Sequence, residues 1–220
     1  LYTGGTIGMM QSENGYIPVS GYLQKQLAKM PEFHRSEMPY FTIKERSPLI
    51  DSSNITPADW QNITDDIRNH YDEFDGFVIL HGTDTMAFTA SALSFMFENL
   101  TKPIIITGSQ IPLEALRSDG QTNLLNALYL AANYPIHEVG LFFNHTLYRG
   151  NRTIKMCADG FNAFASPNCN PLMEAGIQIK KGEVTPLPIR SDPLKTYSIT
   201  PQSIGVIMLY PGLAPEVIAH

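Results

Sequence analysis

Three short stretches of the chain set glycine beside a hydroxyl: Tyr2-Thr3-Gly4-Gly5-Thr6, His81-Gly82-Thr83-Asp84-Thr85 and Thr107-Gly108-Ser109-Gln110. Glycine lets a backbone turn sharply and lets a ligand come close. A hydroxyl becomes a nucleophile only when a base or a strong local field helps remove its proton, because its free pKa is far too high. Thr83 stands beside a carboxylate, Asp84, and Lys155, in Gly150-Asn151-Arg152-Thr153-Ile154-Lys155, could reach the same rim. A lysine partly withdrawn from water there could give up its proton and serve as the base. The chemistry such a set can run is attack by an activated hydroxyl. Each stretch alone has a plainer reading. Gly-Gly-Thr can simply turn a strand into a loop, His81 can be a satisfied core histidine, and Asp51-Ser52-Ser53-Asn54 can be a turn. A phosphate cradle is disfavoured, because no Lys-Ser or Lys-Thr follows the glycines and Gly5-x-x-Gly8 is not a full dinucleotide fingerprint.

The elements that would position these residues read as an alternation of strand and helix. Phe77–Leu80, Ile104–Thr107, Val139–Phe143 and Val206–Leu209 are short, nearly continuous apolar runs, the pattern of strands buried on both faces. Thr56-Pro57-Ala58-Asp59 supplies a cap, a proline at the first helical position and an acid in the first turn. Trp60, Ile63, Ile67, Tyr71 and Phe74 then fall on one face. Residues 85–100 are apolar nearly all round, which predicts a buried helix. Asp119 is placed to cap a helix running through Asn133, before Pro135. The fold class expected is α/β, a parallel sheet flanked by helices of the Rossmann or flavodoxin-like kind, plus the start of a smaller α/β C-terminal domain. In such sheets ligands bind at the carboxyl ends of the strands, where the three glycine–hydroxyl stretches lie. Pro186, Pro188, Pro193 and Pro201 break regular structure, so residues 1–185 read as one domain, 186–203 as a linker and 204–220 as the beginning of a truncated second domain.

Composition narrows the classes further. The chain has 220 residues, 43% hydrophobic and 16% charged, enough for one sizeable core. Its net charge is -6 and its Lys and Arg residues are scattered, so no basic stripe suggests nucleic acid. No apolar run approaches a membrane span. Cys157 and Cys169 are too few for a disulfide scaffold and suit a reducing compartment. The six histidines show no ligand spacing, so no metal is expected, and no cofactor.

Taken together, TGGTIG (3–8), HGTDTM (81–86), TGSQIP (107–112), RSDGQTNLLNA (117–127) and RGNRTIK (149–155) resemble the bacterial L-asparaginases. GYIPVSG (15–21) and ILHGTDTMAFTASALSFM carry the resemblance to the type I, cytoplasmic enzymes. It covers essentially the whole chain. The family is longer, with a few residues and a start methionine before TGGT and a smaller C-terminal domain. The activity implied is hydrolysis of L-asparagine to L-aspartate and ammonia, through a β-aspartyl ester on a threonine.

Residue by residue, the resemblance makes Thr6 the nucleophile and Thr83, Asp84 and Lys155 a proton relay, with the logic of a Ser-His-Asp triad built from other parts. The Thr83 N–H is the implied oxyanion donor. Which threonine attacks first stays open. Tyr16, on a mobile N-terminal loop, is implied to orient the Thr6 hydroxyl when that lid closes. Asp51, Ser52 and Ser53 match the segment that grips the substrate α-carboxylate, Ser52 foremost; Asp84 would also bind the α-ammonium. Ser109 would offer its backbone carbonyl near the leaving amide. Ser52-Ser53 stands where the secreted type has Ser-Gln, which supports type I. The resemblance also implies a homodimer or homotetramer whose site is completed by an acidic residue of a neighbouring subunit, with no nucleic-acid or membrane partner. Such a chain taken alone is expected to be inactive or weakly active. Two other readings compete: an amidotransferase subunit that hands ammonia to a partner enzyme, and a non-catalytic module that binds a small amino acid.

Overall fold

The continuous apolar runs settle in the middle of one sheet. The computed structural model describes residues 1–13, 15–202 and 204–218. In chain order its elements are β1 (Tyr2–Gly4), β2 (Met9–Ser12), β3 (Gly15–Pro18), α1 (Tyr22–Leu27), β4 (Glu45–Ile50), α2 (Pro57–Asn69), β5 (Phe77–Leu80), α3 (Met86–Met96), β6 (Phe97–Glu98), β7 (Ile104–Thr107) and α4 (Gly120–Asn133). They continue with β8 (Val139–Phe143), β9 (Thr146–Arg149), β10 (Ile154–Lys155), β11 (Phe164–Ala165), β12 (Met173–Ala175), β13 (Ile179–Lys181) and β14 (Lys195–Thr196).

The main sheet runs β13-β12-β9-β8-β7-β5-β1-β4. The pairs from β4 through β1, β5 and β7 to β8 are parallel, and β9, β12 and β13 extend the sheet antiparallel. The five parallel strands thus follow the flavodoxin-like order, in which the chain reverses direction across the sheet between β1 and β5. A crevice opens at such a switch point, at the carboxyl ends of the strands. Thr6 and Thr83 follow those two strands.

Side chains alternate between two buried layers, as strand geometry requires. Ile79, Ile104, Ile106, Leu141 and Phe143 meet Ile63 and Ile67 of α2 and Met86, Ala90 and Leu93 of α3. Ile105 and Phe142 meet Ala127 and Leu130 of α4 on the other face. Each such aliphatic side chain, fully withdrawn from water, contributes about 1.5–3 kcal/mol. Two faces covered by helices explain why the central strands carry almost no polar residue.

The expected start of α2 holds: Thr56 precedes Pro57, and the Thr56 N–H donates to Asp59 Oδ2 at 2.9 Å. The helix ends at Asn69, so Tyr71 and Phe74 lie beyond it; Tyr71 still packs into the core and stacks on Phe77. The helix expected over 85–100 is α3, which stops at Met96 and passes into β6. It is not buried all round, because Phe88 and Phe95, seven residues apart, share its outer face and are 67% and 69% exposed. Asp119 stands at the cap position of α4, but its carboxylate is taken by the backbone N–H groups of Gln110 and Ile111. Ser118 Oγ accepts the Gly120 N–H instead.

The proline-rich segment is not wholly irregular. Lys195–Thr196 lies in a proline-free gap and pairs antiparallel with β6. The strand expected at 206–209 is not formed: Val206, Met208 and Leu209 are exposed and no ladder pairs with them. A strand needs a neighbour for its N–H and C=O groups, and none is offered among the described residues. Ser203, Ala219 and His220, which fall in the expected linker and C-terminal segment, lie outside the described residues. Among the described residues no helix is long and apolar enough to cross a membrane.

Candidate active site

The site is built where backbone replaces side chain. Gly5 has φ 90° and ψ 170°, a conformation left to glycine. A Cβ on Gly5 would stand 2.4 Å from Gly82 N, and one on Gly82 would stand 2.4 Å from Ser52 Oγ. The loops after β1, β5 and β4 therefore touch through atoms that leave no room for a methyl group. This contact brings Thr6, Thr83 and Ser52 to one place. Thr6 opens a single 3-10 turn, Thr6–Gly8, and its hydroxyl meets no partner among the described residues.

Lys155 reaches Thr83 from across the sheet end. Its Nζ donates to Thr83 Oγ1 at 2.9 Å and to Asp84 Oδ1 at 2.7 Å. The lysine side chain is only 17% exposed and Asp84 is 62% exposed. An ion pair so open to water adds at most about 1 kcal/mol, so its value here is placement of the ammonium. β10 holds that placement: Lys155 pairs with Phe164, whose ring packs edge-on against Phe143 in the core at 5.0 Å. The expected Thr83–Asp84–Lys155 set is thus assembled from residues more than 70 positions apart.

The other expected residues are placed unevenly. Ser52 is 4% exposed, and its carbonyl accepts from Thr85 Oγ1 at 2.7 Å. Asp51 turns its carboxylate back onto the Ser53 N–H at 3.0 Å, and both are exposed beside Ser52. Ser109 is buried and its hydroxyl donates to the Ile111 carbonyl at 2.6 Å, so any part it plays falls to its backbone. Tyr16 lies on the exposed β2–β3 hairpin, 45% exposed, and is not hydrogen-bonded to Thr6.

Sequence reasoning missed Gln110. Its Oε1 accepts from Thr83 Oγ1 at 2.9 Å, and its Nε2 donates to the carbonyls of Ala158 and Gly160 at 3.1 and 3.0 Å. Gln110 ties the Thr83 hydroxyl to the loop after Lys155, while Asp119 holds its backbone. Asn123 completes this support: its Nδ2 donates to the Gly108 carbonyl at 3.0 Å and to Asp119, and its Oδ1 accepts from the Asn144 N–H. The signal available was Ser109-Gln110 in TGSQIP and Asp119–Asn123 one helical turn apart. His81 is a buried, hydrogen-bonded core histidine, with burial pushing its pKa below the ordinary value. Among the described residues no group of three His, Cys, Asp or Glu side chains could hold a metal ion.

The family model described as "Asparaginase, N-terminal" matches residues 1–185. The chain belongs to the asparaginase family. This asparaginase-family chain is 69% identical to L-asparaginase 1 of Escherichia coli K12 over 219 residues, 100% of the chain and 65% of that protein. It is 42% identical to the human 60 kDa lysophospholipase over 241 residues, 99% of the chain and 42% of that protein. Its fold matches the crystal structure of L-asparaginase I from Vibrio cholerae with a TM-score of 0.92 and 66% identity, covering 99% of the chain and 65% of that structure. The chain therefore spans just under two thirds of the length of its bacterial relatives.

Proposed function

We propose that the protein hydrolyses L-asparagine to L-aspartate and ammonia, with Thr6 as nucleophile. The observation that carries this reading is the Lys155 ammonium on Thr83 and Asp84, beside the Gly5–Gly82 contact that brings the Thr6 turn to the same strand ends. The family and the likeness to L-asparaginases of Escherichia coli and Vibrio cholerae support the substrate.

In the first step Thr6 Oγ1 bonds to the side-chain amide carbon. Its proton passes to the Thr83–Lys155 relay and then to the leaving nitrogen, the C–N bond breaks, and ammonia departs. For Lys155 to accept that proton it must first be neutral, and the Thr83 hydroxyl must turn from Gln110 towards Nζ. In the second step water attacks the β-aspartyl ester and the relay takes its proton; the C–O bond to Thr6 then breaks as the relay returns that proton to Thr6 Oγ1, and L-aspartate leaves. Asp84 holds the relay's charge and, exposed towards the crevice, attracts the substrate ammonium; Ser52, with Asp51 and Ser53 beside it, grips the α-carboxylate. Tyr16 closes over Thr6 with the hairpin, and Ser109 offers its carbonyl to the leaving amide.

The same reading makes the working form a cytoplasmic homodimer or homotetramer, with residues 1–185 as its catalytic domain, 186–203 as linker and 204–220 as the start of a second domain. The test is ammonia release from L-asparagine and L-glutamine by the full-length protein, with Thr6→Ala alongside. The expected result is turnover of asparagine over glutamine and a loss of about 10³-fold or more in Thr6→Ala. Release from neither amide, or full activity in Thr6→Ala, would overturn the reading.

A further inference from the structure

A chain of three side chains lies behind the site with no part in the chemistry above. Trp60 Nε1 is 2.9 Å from Thr89 Oγ1, Thr89 Oγ1 is 2.9 Å from His81 Nε2, and His81 Nδ1 is 2.7 Å from the Gly82 carbonyl. Both ends have a fixed sense, because an indole N–H only donates and a carbonyl only accepts. Thr89 therefore accepts from Trp60 and gives its one proton to His81 Nε2. His81 must then carry its own proton on Nδ1 and donate it to Gly82. The surroundings suit that single neutral form: His81 is 1% exposed, Thr89 is fully buried, and burial disfavours the charged imidazole.

The chain ends on the peptide group that joins Gly82 to Thr83. In a trans peptide the C=O and N–H are coplanar and point in opposite directions. A hydrogen bond that fixes the Gly82 oxygen therefore fixes the aim of the Thr83 N–H. The residue in between is held as well: Gly5 packs against the preceding His81–Gly82 peptide, Ser52 against the Gly82 Cα, and His81 N is tied to the Thr107 carbonyl at 2.9 Å. The Thr83 N–H itself meets no acceptor among the described residues, and it stands just before the first turn of α3, where helix N–H groups favour negative charge. We infer that His81, held by Thr89 and Trp60, is a positioning residue that aims the Thr83 N–H at the amide oxygen as it becomes negative. This rests on the hydrolase reading above. His81 touches no substrate; it acts through Gly82. An oxyanion donor that is already oriented needs no reorganisation when charge develops, and its effect is felt only in the transition state.

The test is steady-state kinetics of the full-length protein on L-asparagine, with the affinity for L-aspartate measured alongside. His81→Leu fills the buried site with an apolar side chain and removes the donor. Its kcat is expected to fall about 10- to 100-fold, with KM and aspartate affinity little changed. His81→Asn can place an amide N–H where Nδ1–H stood, and is expected to recover most of that loss. A purely structural histidine would give the opposite pattern: thermal stability lowered in both variants, with the kcat of the folded protein unchanged. Should His81→Leu fail to fold, Thr89→Val decides, since it leaves His81 in place and takes away the proton given to Nε2, together with the acceptor of the Trp60 N–H. Its kcat is expected to fall about 3- to 10-fold at constant KM. Wild-type kcat in folded His81→Leu or in Thr89→Val, or no recovery in His81→Asn, overturns the inference while leaving the hydrolase reading intact. A wild-type protein that releases no ammonia overturns both.

Discussion

Replacing Gly5 by alanine strikes the contact on which the site depends. Two costs follow from the structure. The first is conformational: φ 90° with ψ 170° is strained for any residue with a Cβ, worth about 1–3 kcal/mol of stability. The second is spatial. The new methyl would stand 2.4 Å from Gly82 N and 2.6 Å from Gly82 Cα, both backbone atoms that cannot swing aside. Ordinary contact begins at 3.4 Å, so the two loops must part by about 1 Å. A displacement of that size between Thr6 and Thr83 would separate the proposed nucleophile from its proposed relay and is expected to lower kcat about 10²-fold. Ammonia release gives the kinetic term and urea unfolding the stability term. Gly21→Ala is the control, since its φ of 70° is also positive but nothing lies within 4 Å of the added methyl. It should lose stability and keep kcat. A Gly5→Ala protein with wild-type kcat would refute the claim that this contact aligns the site.

Arg149→Met should lower stability by about 3–5 kcal/mol in urea unfolding, because it strips the partner from Glu138, which is 4% exposed and held by Arg149 Nε at 2.6 Å. The Leu187 N–H, which also donates to Glu138, would be left as its remaining support. A loss under 1 kcal/mol, roughly that of a surface pair, would show that the pair is open to water. Stability should also fall in acid. His81 stays neutral in the folded chain while the unfolded chain takes up a proton as pH drops through 6.5, so its contribution is complete above that pH and is lost below it. The expected slope is at most about 1.4 kcal/mol per pH unit. His81→Asn should flatten that part of the profile between about pH 7 and 5; an unchanged slope would assign it to other groups.

What the sequence made legible follows from where each residue's partners lie. Phe77–Leu80, Ile104–Thr107 and Val139–Phe143 were readable because two covered faces demand unbroken apolar runs. β4, Glu-Arg-Ser-Pro-Leu-Ile, was not, because an edge strand tolerates charge and proline. Val206–Leu209 misled in the other direction: an apolar run signals a strand only where a neighbouring strand exists to receive it. Thr6, Thr83, Asp84 and Lys155 could be named from motifs. Gln110 could not be tied to Thr83, nor Trp60 to Thr89, since those contacts join positions 27 and 29 apart and exist only after the sheet has formed. Asp119 shows the same limit, as its carboxylate takes the backbone N–H groups of Gln110 and Ile111 rather than those of its own helix.

The central claim is that Thr6 carries the acyl group. The direct measurement is acid quench of the full-length protein during turnover of L-asparagine, followed by proteolysis and mass mapping of the peptides. An aspartyl ester is expected on the peptide that contains Thr6, lost when Thr6 is changed to alanine. An ester on the peptide containing Thr83, or hydrolysis that persists in Thr6→Ala, would contradict it.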